Sequence, residues 1–170
     1  MRADGARMKL AAQDRAHRGP ARVLLLERNA ELREVLLWSF VEDGFVVVPC
    51  ASLAELHRAR RPGARDVAVV DCWSGPRPLP TDRERRDFAR LGGAVPLVLL
   101  PNQRWADRLT AGDLGVSALL PKPFDLDTLL GMVAHLAGRA SAGDLGDGRH
   151  GAAAVQRQAL HAAPALLASD

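Results

Sequence analysis

The sequence predicts an α/β domain: a doubly wound, five-stranded parallel sheet with helices on both faces. Short apolar runs recur five times between residues 21 and 121, and each is followed by a stretch with helical period or a helix cap. The runs are almost continuous Val and Leu rather than alternating apolar and polar, as expected of strands buried on both faces. Composition agrees. Apolar residues make up 48% of the 170, aromatics only 4%, and there is no Tyr, so the core must be aliphatic.

The first run is "RVLLLE". Leu32, Val35, Leu36 and Phe40 then repeat at i, i+3, i+4 and i+8, a helix stripe halted by Gly44. Trp38 and Val41 fall on the opposite face, where an exposed pair would mark a partner surface; packing against the last helix is the expected arrangement and would cover them. The second run is "FVVVPC". Ser52 and Glu55 stand at capping-box spacing and open a helix that ends at Pro62-Gly63. The third run is "VAVVDC", and Thr81 with Glu84 repeats the capping box before "RRDFARL". The fourth run is "VPLVLLP", after which "WADRLTAGDLG" reads as one short helix ending at glycine. The fifth is "SALLP", and Asp125 caps a final helix over "LDTLLGMVAHLAG". Five strands therefore alternate with five helices, an order that implies right-handed crossovers and a sheet covered on both sides.

Outside residues 21–138 the pattern lapses. Residues 1–20 are expected to form a disordered basic arm. Residues 139–170 are Ala/Gly-rich and are expected to be a mostly disordered tail, with at most a marginal helix over Ala152–Ala163. That tail is too poor in large apolar residues to form an output domain. Net charge is +3, and it is uneven: residues 1–22 hold six Lys/Arg against Asp4 and Asp14, while residues 139–170 balance three Arg with three Asp. The basic balance therefore sits in the arm. No nucleic-acid-binding fold or aromatic interleaving accompanies it, so nucleic acid is not the expected partner.

Cys50 and Cys72 fit neither a disulfide framework nor a metal spacing and read as buried, reduced thiols. The five histidines are scattered. No apolar run reaches transmembrane length and no signal-peptide core is present, so the expected location is cytoplasmic. No G-x-G-x-x-G or phosphate-loop sequence occurs, which argues against nucleotide binding.

In a parallel sheet, ligands sit beyond the carboxyl ends of the strands. The residues there are Glu27-Arg28-Asn29, Cys50, Asp71-Cys72-Trp73, Pro101-Asn102 and Pro121-Lys122-Pro123. Asp71 and Lys122 are the informative pair. A carboxylate facing an ammonium is either a half-buried structural ion pair or an acceptor whose new phosphoryl charge the lysine neutralises. Pro123 marks a place for a cis peptide.

Residues 21–138 resemble the receiver domain of bacterial two-component response regulators. The resemblance rests on "RVLLLERNAELREVL", "DVAVVDC", "VPLVLL" and "AGDLGVSALLPKPFDLDTLL", and on the intervals from Asp71 to Glu27 (44), Pro101 (30) and Lys122 (51). It implies a flavodoxin-like sheet of order 2-1-3-4-5. It implies Asp71 as phosphoacceptor, Lys122 as its charge partner, and a histidine kinase or phosphotransfer protein as donor. Output would pass to a downstream protein through contacts, with no turnover chemistry of the chain's own.

The departures from the family pattern are as informative. A Mg²⁺ ion would rest on Glu27 and Asp71, but the second acidic position after the first strand is Arg28, which weakens or removes that site. Arg28 either sits beside Asp71, in the ion's place, or turns out to solvent. The family's hydroxyl after the fourth strand is Pro101, and its aromatic switch residue in the fifth strand is Leu119. Asp71 has Cys72-Trp73 after it rather than Met-Pro, and no second aspartate two residues on, which disfavours a haloacid-dehalogenase-type phosphatase. Three functions stay open: a stand-alone phosphorylatable receiver, a phosphorylation-independent pseudo-receiver that docks partners, and a small flavodoxin-like enzyme.

Overall fold

The computed structural model describes residues 20–62, 64–72 and 79–141. The expected disordered arm, most of the expected tail and the loop at 73–78 lie outside the described residues. Five parallel strands form one sheet of order β2-β1-β3-β4-β5. They are β1 (Arg22–Leu26), β2 (Val46–Pro49), β3 (Asp66–Asp71), β4 (Leu97–Leu100) and β5 (Ala118–Leu119). The helices are α1 (Ala30–Glu42), α2 (Leu53–Ala59), α3 (Asp82–Gly92), α4 (Gln103–Ala106), α5 (Ala111–Leu114) and α6 (Leu126–Ser141).

The strands are central because both of their faces are covered. In β1, Val23 and Leu25 join one core with Leu36 and Phe40 of α1 and Leu129, Met132 and Val133 of α6. Leu24 and Leu26, one residue out of phase, join the other with Leu56 of α2 and Phe88 and Leu91 of α3. Each such leucine contributes roughly 1.5–3 kcal/mol by leaving water. A one-residue slip of β1 would exchange these two side-chain sets between the faces, and this fixes the register that pairs Leu26 with Val70. The edge strand β2 is covered less completely.

Arginines hold the amino-terminal end of the sheet. Arg22 Nη2 donates to Ala59 O at the end of α2 (2.8 Å), and Arg60 Nη1 to Ala94 O beyond α3 (2.9 Å). Carbonyls at helix carboxyl ends lack intrahelical partners, and these guanidinium groups supply them.

Four expectations need correction. First, "WADRLTAGDLG" is not one helix. Thr110 Oγ1 accepts Asp113 N–H while Asp113 Oδ2 takes Thr110 N–H and Oγ1–H, a capping box that starts α5 afresh. Six helices are thus present among the described residues. Second, the Ser52–Glu55 box is half formed. Ser52 Oγ caps α2, but Glu55 Oε2 accepts Ala51 N–H instead of that of Ser52. Third, α6 continues to Ser141, past Gly138, where the helix was expected to end. Fourth, α6 does not cover Trp38 and Val41. Both are exposed, because α1 turns Leu36 and Phe40 to the sheet and α6, leaving its far face outward. No helix among the described residues is long and apolar enough to cross a membrane.

Candidate functional site

The carboxyl ends of β1, β3 and β4 converge with the segment after β5. Glu27 is the first residue past β1, and its side chain is fully buried. A carboxylate there needs partners. Glu27 Oε1 accepts Asn29 N–H (2.9 Å), and the Asn29 side chain caps α1 by accepting Leu32 N–H (2.9 Å). Arg33 Nη1 donates to Glu27 O (3.0 Å). The turn from strand to helix therefore grips Glu27 through both side chain and backbone.

Asp71 ends β3, its side chain 6% exposed. Lys122 reaches both acids. Its Nζ lies 3.0 Å from Asp71 Oδ1 and 3.1 Å from Glu27 Oε2. The lysine backbone is fixed against β4: Lys122 N–H donates to Pro101 O (2.8 Å), and residues 102 and 122 form an isolated parallel bridge. The Lys122–Pro123 peptide is cis, as Pro123 led one to expect. Asp125 then accepts from Thr128 N–H and Oγ1–H (3.0 Å each), capping α6. The segment carrying the lysine is thus held at both ends.

The electrostatics follow from this packing. Burial pushes the Asp71 carboxyl up from its ordinary value; the bond from Lys122 pulls it down, and the Glu27 charge adds to the rise. Burial works against the Lys122 ammonium, but its bonds to Asp71 and Glu27 outweigh that, and its pKa is raised. Lys122 stays charged at neutral pH, in a low-dielectric pocket with two carboxylates.

The remaining expected positions fall as follows. Arg28 is exposed at the rim of the site, and the cation bridging the two carboxylates is Lys122. Pro101 is buried at the end of β4 and offers its carbonyl to Lys122. Leu119 is 3% exposed in the same core cluster as Trp105, Leu109 and Leu114. Cys50 and Cys72 are free, buried thiols whose pKa burial raises. Among the described residues no three His, Cys, Asp or Glu side chains gather to hold a metal. The sequence placed Asn29 and Asn102 at the strand ends but had not assigned them their capping role. Their signal was present: each is an Asn directly before a helix, the preferred N-cap.

No family model matches the sequence, and no curated protein matches it. Solved structures do. The receiver domain of the TMAO respiratory system response regulator TorR superposes with a TM-score of 0.58 at 21% identity, covering 71% of this chain and 99% of that one. A response regulator receiver domain protein from Clostridium thermocellum gives 0.56 at 18%, covering 72% and 98%. A structure described as an adenylate cyclase from Rhodopirellula baltica gives 0.57 at 16%, covering 85% and 100%. At these identities the likeness is one of fold. With its 2-1-3-4-5 parallel sheet and its Asp71 at the tip of the central strand, the chain has the fold of response regulator receiver domains.

Proposed function

We propose that this chain is a receiver-like signalling domain in which Asp71 accepts a phosphoryl group and output passes through protein contacts. The supporting observation is the 3.0 Å contact between Lys122 Nζ and Asp71 Oδ1 at the end of the central strand. In the transfer, an Asp71 carboxylate oxygen attacks phosphorus, the bond from phosphorus to its donor breaks, and an acyl phosphate forms. Lys122 is already in place for the added negative charge, so little reorganisation is needed. The donor is a histidine kinase, a phosphotransfer protein or a small acyl phosphate.

The donor set does not fit a Mg²⁺ cage. Mg²⁺ takes six oxygens in near-octahedral array. Here the two candidate carboxylates share Lys122, and Glu27 also binds the Asn29 N–H. Arg28 stands where another carboxylate would serve. Mg²⁺ therefore binds weakly. Arg28→Asp, a two-unit change of charge, should tighten Mg²⁺ binding by tenfold or more in calorimetry, about 1.4 kcal/mol. Equal affinities would contradict this assignment of the defect.

The decisive test is intact-mass analysis after incubation with acetyl phosphate. The unmodified chain should gain one phosphoryl group and Asp71→Asn none. A phosphoryl group persisting on that variant would move the acceptor elsewhere.

A second reading, a phosphorylation-independent docking module, is favoured by Pro101 and Leu119. Proline has no hydroxyl to follow the phosphoryl group, and the buried leucine has no polar tip to reorient. A ligand shifts an equilibrium only through different affinity for the two states. Beryllofluoride should therefore move amide resonances next to Asp71 and leave residues 105–120 almost unchanged. Widespread shifts through that segment would restore a working switch.

A further inference from the structure

The outer face of α1 is apolar and acidic at once. Val35, Trp38 and Val41 are 53%, 60% and 46% exposed. At 100° per residue they lie on the side away from Leu36 and Phe40, with the indole near the middle. Exposed Glu31, Glu34 and Glu42 stand among them, and none forms an ion pair among the described residues. A tryptophan flanked at i±3 by exposed valines is the kind of contiguous apolar surface that marks a contact site.

We infer that residues 1–19 of the same chain cover this face. Charge selects this occupant. Residues 1–19 carry Arg2, Arg7, Lys9, Arg15 and Arg18 against Asp4 and Asp14, a net +3. Residues 142–170 carry Arg149 and Arg157 against Asp144, Asp147 and Asp170, a net −1, and would be repelled by the same glutamates. Position agrees with charge. Val46 N–H donates to Ala21 O (3.0 Å), so the arm joins the domain beside Val46, at the end of the sheet where α1 finishes.

Reach is not limiting. From Val41 back to Glu31 the helix spans about 15 Å, at 1.5 Å per residue. Nineteen residues extend up to about 60 Å. Composition matches as well. Met8 and Leu10 alternate with Arg7 and Lys9, apolar among basic, where the helix is apolar among acidic. Methionine adapts to an irregular aromatic surface, and lysine and arginine lay their stems on apolar ground while their heads meet carboxylates. A partner that docks on α1 must displace the arm.

The test uses the full chain with a nitroxide on Ala12→Cys; the native thiols are buried and do not compete for the label. Amide signals of residues 31–46 should lose most of their intensity, with the rest of the sheet unaffected. About 0.5 M salt, where screening acts within a few ångströms, should restore them. The full-chain double variant Glu34→Lys/Glu42→Lys should restore them too. A mixture of spin-labelled chains with isotope-labelled, nitroxide-free chains reports a second copy. Broadening in that mixture, broadening confined to other elements, none at all, or broadening that survives both salt and charge reversal would each overturn the inference.

Discussion

Lys122→Met should lower the stability of the domain by about 3–5 kcal/mol near neutral pH, the usual cost of removing one partner from a buried ion pair. For a domain of this size that is a fall in melting temperature of roughly 10–20 °C. The reason is local. Without the ammonium, Glu27 and Asp71 face one another with fully and nearly fully buried side chains, and among the described residues only Glu27 keeps a backbone donor, Asn29 N–H. With the pull of the lysine removed, burial and the facing Glu27 side chain leave the Asp71 carboxyl of the folded variant above its unfolded value. The folded variant then binds more protons than the unfolded chain across that window. Its stability should fall as pH rises through it and recover on mild acidification, when a proton replaces the lysine. Glu27→Gln added to Lys122→Met should return a large part of the loss, because one charge no longer needs neutralising. A loss below about 1 kcal/mol, or one independent of pH, would mean that the pocket is wetter than the packing implies.

Removing Asp71 has the opposite effect at neutral pH. Burial raises its folded pKa. A carboxyl raised on folding loses stability as pH rises through the interval between its unfolded and folded values. Asp71→Asn should therefore leave the domain as stable at neutral pH or more stable, by about 1 kcal/mol, while abolishing phosphoryl acceptance. Lys122 contributes in the other direction. Its folded pKa is raised, so its contribution is complete at neutral pH and is lost only as pH climbs through that raised value. Together the two residues describe a site kept at some cost to stability, as expected of a carboxylate retained for chemistry rather than for folding.

The strands were legible because burial on both faces leaves one signature, an unbroken Val/Leu run, and all five runs became strands. The strand tips were legible for the same reason. Once the runs are placed, Glu27, Asp71 and Pro101 must lie at one edge, and the structure brings Lys122 to the same place. Strand order came through the resemblance, since an apolar run does not say which neighbour it pairs with. The split between α4 and α5 was written in Thr110 and Asp113, but it was masked by apolar spacing that continues through Leu109, Ala111 and Leu114. Trp38 misled because a large aromatic is expected to find cover, and Val35, counted with the core stripe, lies at its edge and is exposed. The bridge from Lys122 to Glu27 was not legible at all. It depends on side-chain reach across 95 positions of sequence, and no periodicity encodes that.

Gly92→Ala should destabilise the domain by about 2–3 kcal/mol, although alanine is the better helix former at an ordinary helical position. Gly92 closes α3, where it meets the loop between α5 and β5. A Cβ on Gly92 would overlap Gly115 O and stand 3.2 Å from Val116 Cα. These are backbone atoms, so no rotamer change relieves the contact. Gly115 cannot easily yield, since it caps α5 at a φ of +64° and its own Cβ position would press on Ala89 at 3.2 Å. The displacement would pass to β5 and on to the segment that carries Lys122, three residues beyond that strand. Gly131→Ala is the control. It lies in α6 with nothing within 4 Å of the new methyl, and should stabilise by up to about 1 kcal/mol. Thermal or urea unfolding of the two variants decides the matter. Equal and small effects would show that α3 and α5 are loosely apposed. The expected opposite signs would show that a backbone contact without side chains holds α3 against the loop leading into β5.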